Sequence, residues 1–240
     1  MNGSAFRARE SKLLVVLTAI IITSAVVAEI VAVKLFQVRF YGFVGIDKMF
    51  TLTCGSLVWP LVFLTTDTIN EFYGRKTVRF ISWLTVVMIA WMWIISQWSI
   101  RIEAASFSPA GDGPFAVIMG QGGWIMIGSI AAFLISQLVD VTVFHWIRRA
   151  LKGRHIWARA TGSTIVSQLI DSFVVIYIAF GLPKKMSAEQ CFDTSVSSFI
   201  YKVGLAVALT PLIYLAHFLV ESWLGRDRAH EMARAAAAAE

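Results

Sequence analysis

Residues 13–36 read LLVVLTAIIITSAVVAEIVAVKLF, with Glu29 and Lys34 the only charged positions. A helix needs about 20 largely apolar residues to cross the hydrocarbon core of a bilayer, and this run supplies them. Similar runs follow near 51–70, 79–98, 122–147, 161–181 and 194–222. Glycine and proline collect in the joins, at Gly42, Gly45, Pro109 to Pro114, Gly153 and Gly181 to Pro183. The pattern predicts an all-α integral membrane protein. Residues 13–222 form a bundle of six transmembrane helices, between an N-terminal tail (1–12) and a C-terminal tail (223–240). No small-residue cleavage site follows the first run, so it reads as a retained span rather than a removed signal peptide. The alanine-rich end, Arg234 to Glu240, reads as a frayed or non-native helix outside any functional argument.

Composition supports this. Hydrophobic residues make up 58% of the 240, and charged residues only 15%, against roughly 25% in soluble domains. Mean hydropathy is +0.71. A soluble domain of this size has too little interior for so much apolar surface. Cys54 and Cys191 form no CxxC or His-paired pattern, so neither a disulfide framework nor a zinc site is expected, nor any cofactor.

The formal net charge of +6 invites a nucleic-acid reading, which its distribution excludes. Alternate joins, with the tails, carry Arg7, Arg9, Lys12, Arg75, Lys76, Arg79, Arg148, Arg149, Lys152, Arg154, Arg159, Arg226, Arg228 and Arg234. The remaining joins hold Lys34, Arg39, Lys48, Arg101, Lys184 and Lys185. By the positive-inside rule both termini are cytoplasmic, which requires an even number of spans. The longest outer join, near 99–121, is rich in Ser, Pro and Gly and is placed to fold over a substrate entrance.

Ionisable groups at bilayer depth cost at least about 2.5–3.5 kcal/mol each, and mark functional sites more often than structural ones. The runs retain Glu29, Asp67, Glu71, Asp140, Asp171 and Lys202, with Asn70, Gln137 and Gln168. Asp67 and Glu71 stand at i, i+4 with Asn70 on the same helical face. Gln137 and Asp140 stand at i, i+3, as do Gln168 and Asp171, within the matching strings Ser136-Gln-Leu-Val-Asp140 and Ser167-Gln-Leu-Ile-Asp171. Paired amides and carboxylates of this kind suit a flat nitrogenous ring. A carboxylate accepts from an N–H/NH2 edge, and an amide both donates and accepts. Phe72, Tyr73, Phe144, Phe173 and Tyr177 are candidates to stack on it. Lys202 is expected to neutralise a buried carboxylate, and Glu29, near the outer end of its span, to be partly solvated. These two are assigned structural or coupling roles. Ser24, Ala28 and Ala32 form a small-residue stripe for close helix packing, within the fold in preference to another subunit.

The segments Thr65-Thr-Asp-Thr-Ile-Asn-Glu-Phe-Tyr-Gly-Arg-Lys76, Gln137-Leu-Val-Asp-Val-Thr-Val-Phe-His145, Ser163-Thr-Ile-Val-Ser-Gln-Leu-Ile-Asp171, Ile178-Ala-Phe180 and Tyr201-Lys-Val-Gly204 leading to Pro211 resemble the queuosine precursor transporter family, also called vitamin uptake transporters. The resemblance runs from the second span to the sixth. It implies import of 7-cyano-7-deazaguanine, 7-aminomethyl-7-deazaguanine or queuine across a bacterial inner membrane. It also implies a six-helix bundle similar to the substrate-binding subunits of energy-coupling factor transporters. The family's acidic and amide positions map onto Asp67, Asn70, Glu71, Gln137, Asp140, Gln168 and Asp171. Before the fifth span this chain departs from the family's more polar pattern, with Trp157-Ala-Arg-Ala-Thr-Gly-Ser163, and Arg159 takes no assigned role.

Three functions compete on these residues. The first is a carrier of a 7-deazapurine, with membrane lipid and the small molecule as its partners; a homodimer and a separate energising module are both compatible with it. The second is the substrate-binding subunit of an ATP-driven importer for another purine-like or vitamin solute. The chain lacks GxxxxGK[ST], so it does not itself use ATP by that route. The third is a membrane enzyme, and the absence of HExxH, GxSxG and GxGD-like strings argues against it.

Overall fold

The computed structural model describes residues 3–40, 48–120, 122–150, 156–208 and 210–238. Helix α1 (Gly3–Val31) leads into an antiparallel hairpin of β1 (Leu35–Phe40) and β2 (Lys48–Thr53), then a 3-10 turn, Cys54–Leu57. Helices α2 (Trp59–Ile100), α3 (Asp112–Gly120), α4 (Gly122–Ala150) and α5 (Ile156–Ile176) follow, and α5 runs on through a π-helical turn, Tyr177–Gly181. Helices α6 (Ala188–Ala208), α7 (Thr210–Leu224) and α8 (Arg226–Ala238) complete the chain. Among the described residues, three helical stretches are long and apolar enough to cross a membrane, Ala8–Val31, Lys76–Ile100 and Asp112–Phe133, and Ile165–Gly181 is a shorter apolar one. Large apolar side chains stand outward along 75–100, among them Phe80, Trp83, Val87, Trp91 and Trp98, as expected where lipid replaces water.

A short hairpin interrupts an otherwise helical chain. Leu35-Phe-Gln-Val-Arg-Phe40 and Met49-Phe-Thr-Leu-Thr53 alternate apolar and polar residues with a period of two, the signature of a half-buried strand. The register runs from Leu35↔Thr53 to Phe40↔Lys48, and Phe50 and Leu52 point inward while Met49 is exposed. The first helix therefore ends at Val31, not near residue 36, and the second begins at Trp59, with Pro60 in its first turn, where a missing N–H costs nothing.

Helix α2 contains two of the expected runs. Gly74 interrupts it at φ 79°, ψ 168°, a region open essentially to glycine alone. Thr66 and Ile69 before the break line the same crevice as Val78, Ile81 and Ser82 beyond it. On a straight helix Thr66 and Ser82 would be about 24 Å apart, so the chain reverses at Gly74 and the arms 59–73 and 75–100 lie side by side.

The other ends have local causes. Ser187 and Gln190 form a capping box on α6: the Ser187 hydroxyl accepts from the Gln190 N–H (3.2 Å) and the Gln190 side chain accepts from the Ser187 N–H (2.8 Å). The long outer join shortens to 101–111, because Asp112 opens α3 and its carboxylate accepts from the Ala104 N–H (2.9 Å). The C-terminal segment is also corrected. Helix α8 packs back on the bundle, burying Ala229 with Phe72, Val220 and Leu224, and Arg228 pairs with Glu10 at 2.5 Å. A Cβ on Gly74 would lie 3.5 Å from Ala236 Cβ, so the alanine tract covers the reversal.

The small-residue stripe of α1 is internal. Ser24, Ala28 and Ala32 are all buried. A Cβ on Gly55 would come within 2.6 Å of the Ala28 carbonyl oxygen and 3.0 Å of Ala32 Cβ, so the 3-10 turn lies directly on the stripe.

Gly74→Ala meets only ordinary contacts but is forced into a conformation that alanine rarely adopts. The expected loss is about 1–3 kcal/mol, read as a lowered unfolding midpoint in detergent. An unchanged midpoint would mean that the reversal tolerates a side chain.

Candidate functional site

Helix α4 approaches α5 closely at Gly128, where a Cβ would stand 2.9 Å from the Val175 carbonyl oxygen. Small residues permit such approaches between membrane helices. The next residue, Ser129, hydrogen-bonds to Glu29 of α1, and Asp171 of α5 is near enough to act on that carboxylate electrostatically. Asp171 forms an ion pair with Lys202 of α6, both side chains largely buried at 22% and 12% exposure. Four helices thus deliver charged or polar side chains to one region. An apolar layer of Ala32, Ile125, Ile176, Ala179, Phe180 and Cys191 packs the same four helices together.

Glu29 is 2% exposed, which corrects the expectation of a partly solvated group. The reason is its neighbourhood on α1: Ala25, Ala28 and Ala32 let the surrounding elements close over it. Its Oε2 and the Gln168 Oε1 are buried with no hydrogen-bond partner among the described residues. Gln168 lies one turn before Asp171, and its carbonyl accepts from the Ser172 hydroxyl (2.9 Å). Buried acceptors without donors are rare in folded proteins and each calls for an explanation, an absent ligand being one.

The structure does not bring every predicted residue here. Asp67, Asn70 and Glu71 share a face, as their spacing requires, but that face is exposed on the first arm of α2, while Thr65, Thr68, Ile69 and Phe72 face inward. The hydroxyls of Thr65 and Thr68 turn back to the carbonyls of Leu61 (2.6 Å) and Leu64 (2.8 Å). Helix α2 packs chiefly on α1 and α8, whereas α5 packs on α4 and α6, so the acidic triplet stands on a different helix pair. Gln137, Asp140 and Phe144 lie on α4, and their side chains fall outside the described residues.

Among the aromatic candidates, Phe72 is core, packed on His217 at 5.1 Å, and Tyr73 donates to the Glu10 carbonyl at 2.7 Å. Phe173 stacks on Tyr177 (6.2 Å, 12°) and meets the edge of Phe192 at 5.7 Å. Sequence reasoning overlooked Ser129 and the buried hydroxyls of α6, Thr194, Ser195, Ser197 and Ser198. The polar string Asp193-Thr-Ser-Val-Ser-Ser198 within an apolar helix was the available signal. No group of three or more His, Cys, Asp or Glu side chains is placed to hold a metal ion among the described residues.

Removing one member of a buried ion pair strands the other, at a typical cost of about 3–5 kcal/mol, whereas replacing both is often neutral. Lys202→Met is therefore expected to lower the unfolding midpoint sharply, and Lys202→Met with Asp171→Leu to restore most of it. Equal midpoints for the single and double variants would show that the pair is not coupled.

Comparison with known proteins agrees with the sequence motifs. Residues 53–216 match the family model described as "Putative vitamin uptake transporter". A protein of Bacillus subtilis named "Probable queuosine precursor transporter" is 31% identical over 172 residues, covering 71% of this chain and 73% of that protein. One of Haemophilus influenzae with the same name is 30% identical over 165 residues, covering 68% and 67%. No solved structure matches. These names describe transporters and no enzyme. With the family match spanning most of the chain, and apolar helices enclosing buried polar side chains, this chain belongs to the vitamin uptake transporter family.

Proposed function

We propose that this protein imports queuosine precursors, namely 7-cyano-7-deazaguanine, 7-aminomethyl-7-deazaguanine or queuine, across a bacterial inner membrane. The observation that carries the reading is the pair formed by the partnerless Gln168 Oε1 and the Asp171 carboxylate, one turn apart inside the bundle. A 7-deazaguanine offers a ring N–H and an exocyclic amine side by side. A carboxylate has about four acceptor positions and Lys202 occupies one, so Asp171 retains capacity for that edge while Gln168 accepts a further N–H. The names of the two relatives support the same class of solute.

The chain crosses the membrane six times in this reading: α1, the two arms of α2, α3 with α4, α5, and α6 with α7. This is the arrangement the likeness to energy-coupling factor substrate-binding subunits would require. Arg9, Lys12, Lys76, Arg226 and Arg228 belong to the end that holds the Gly74 reversal and α8, and the positive-inside rule makes that end cytoplasmic. We assign Gln137, Asp140 and Phe144 of α4 to the same solute site. Asp67, Asn70 and Glu71, close to the reversal, line the path by which the solute leaves.

Gln168→Ala tests the site cleanly, because it removes an acceptor without breaking a described contact of the side chain's Oε1. Binding of 7-cyano-7-deazaguanine to the purified protein should weaken about tenfold or more, with the unfolding midpoint unchanged. Unaltered affinity would sink the site. Absence of precursor uptake by the unmodified protein, in cells unable to synthesise the precursor, would sink the function.

A further inference from the structure

The Asp171–Lys202 pair balances its own charge and leaves Glu29 as the surplus. Glu29 is 2% exposed within the apolar stretch Ala8–Val31, and its Oε2 has no partner among the described residues. Among the described residues its hydrogen-bond partner is Ser129. A hydroxyl donates to a carboxylate and accepts from a carboxylic acid equally well, so that contact holds in either protonation state. Glu29, Asp171 and Lys202 together are electrically neutral when Glu29 carries a proton, and bear one uncompensated negative charge when it does not.

Among the described residues, Asp171 is the one other charge that acts on Glu29. From α4 comes Ser129, from α5 Asp171, and through Asp171 comes Lys202 of α6. Asp193 lies nine residues from Lys202 along α6, and the second arm of α2 has no Asp, Glu, Lys, Arg or His between Arg79 and Arg101. The adjoining 3-10 turn contributes the Cys54 thiol and no charge. Asp140 stands eleven residues beyond Ser129 on α4, about 16 Å along the helix.

We propose that Glu29 is the proton-coupling residue of this transporter, binding a proton from the outer side and releasing it to the inner side with each solute that crosses. The inference rests on the solute site proposed above, which shares Asp171 with the proton site, so that occupancy of one is felt at the other. No bond of the solute changes. One proton and one solute move inward together, and for 7-cyano-7-deazaguanine, a neutral ring on which the membrane potential alone does no work, the downhill proton drives accumulation.

The test uses the purified full chain in liposomes, with labelled 7-cyano-7-deazaguanine and an imposed inward proton gradient. For one proton per solute, each pH unit should support about tenfold accumulation, abolished by a protonophore. Glu29→Gln should exchange solute across the membrane yet fail to accumulate it. In infrared difference spectra of the purified protein at neutral pH, a protonated-carboxyl C=O band should be present, lost in Glu29→Gln and kept in Asp171→Asn. Accumulation by Glu29→Gln equal to that of the unmodified protein overturns the proposal, as does absence of the Glu29 band. If the unmodified protein moves no deazaguanine, the solute reading fails on its own, and the infrared band still decides whether Glu29 holds a proton.

Discussion

The constraint on which the site depends is the close approach of α4 and α5 at Gly128. Without a side chain there, the backbone of one helix nearly touches that of the other. Beside this contact Ser129 meets Glu29, and Asp171, one turn before Val175, meets Lys202 on one side and acts on Glu29 on the other. Charges taken out of water hold their geometry only when each finds a partner. The close approach of two backbones thus stands beside side chains drawn from four helices. A bulkier residue at 128 would separate the pair of helices and leave each charge to find a different partner.

Much of this was legible in the sequence and some was not, for identifiable reasons. Hydropathy located the apolar runs because lipid tolerates few charges, and the i, i+3 spacing placed Gln168 and Asp171 together on one face because a helix fixes that relation locally. The ion pair of Lys202 could be anticipated as a type, since a lone cation among apolar residues needs an anion. Which anion it takes depends on how α5 and α6 lie against each other, and no local pattern encodes that. Glu29 was misjudged because distance along a helix says little about burial when the flanking residues are alanines that admit neighbours closely.

The remaining misreadings share a cause. The hairpin was hidden because its apolar residues continue the composition of the first helix, and only the change of period from 3.6 to 2 separates them. The alanine tract seemed featureless because alanine carries little apolar surface. Its value lies in being small enough to sit against Gly74. Asp67 and Asp171 look alike in sequence, as acids in apolar runs of the same family motifs, yet one faces outward on α2 and the other is paired within the bundle. Equal chemical character does not imply a common location.

The hairpin also acts as a depth gauge. A two-stranded ribbon leaves peptide groups along both margins without strand partners, and such margins do not stand bare in hydrocarbon. Gln37 and Arg39 on its exposed side belong with water or lipid headgroups. The hydrophobic boundary on that side therefore lies close to Lys34 and Thr53. Glu29 falls about a turn beneath that plane, while Lys202 enters from a residue fourteen positions down α6. Glu29 thus lies nearer that boundary along α1 than Lys202 does along α6.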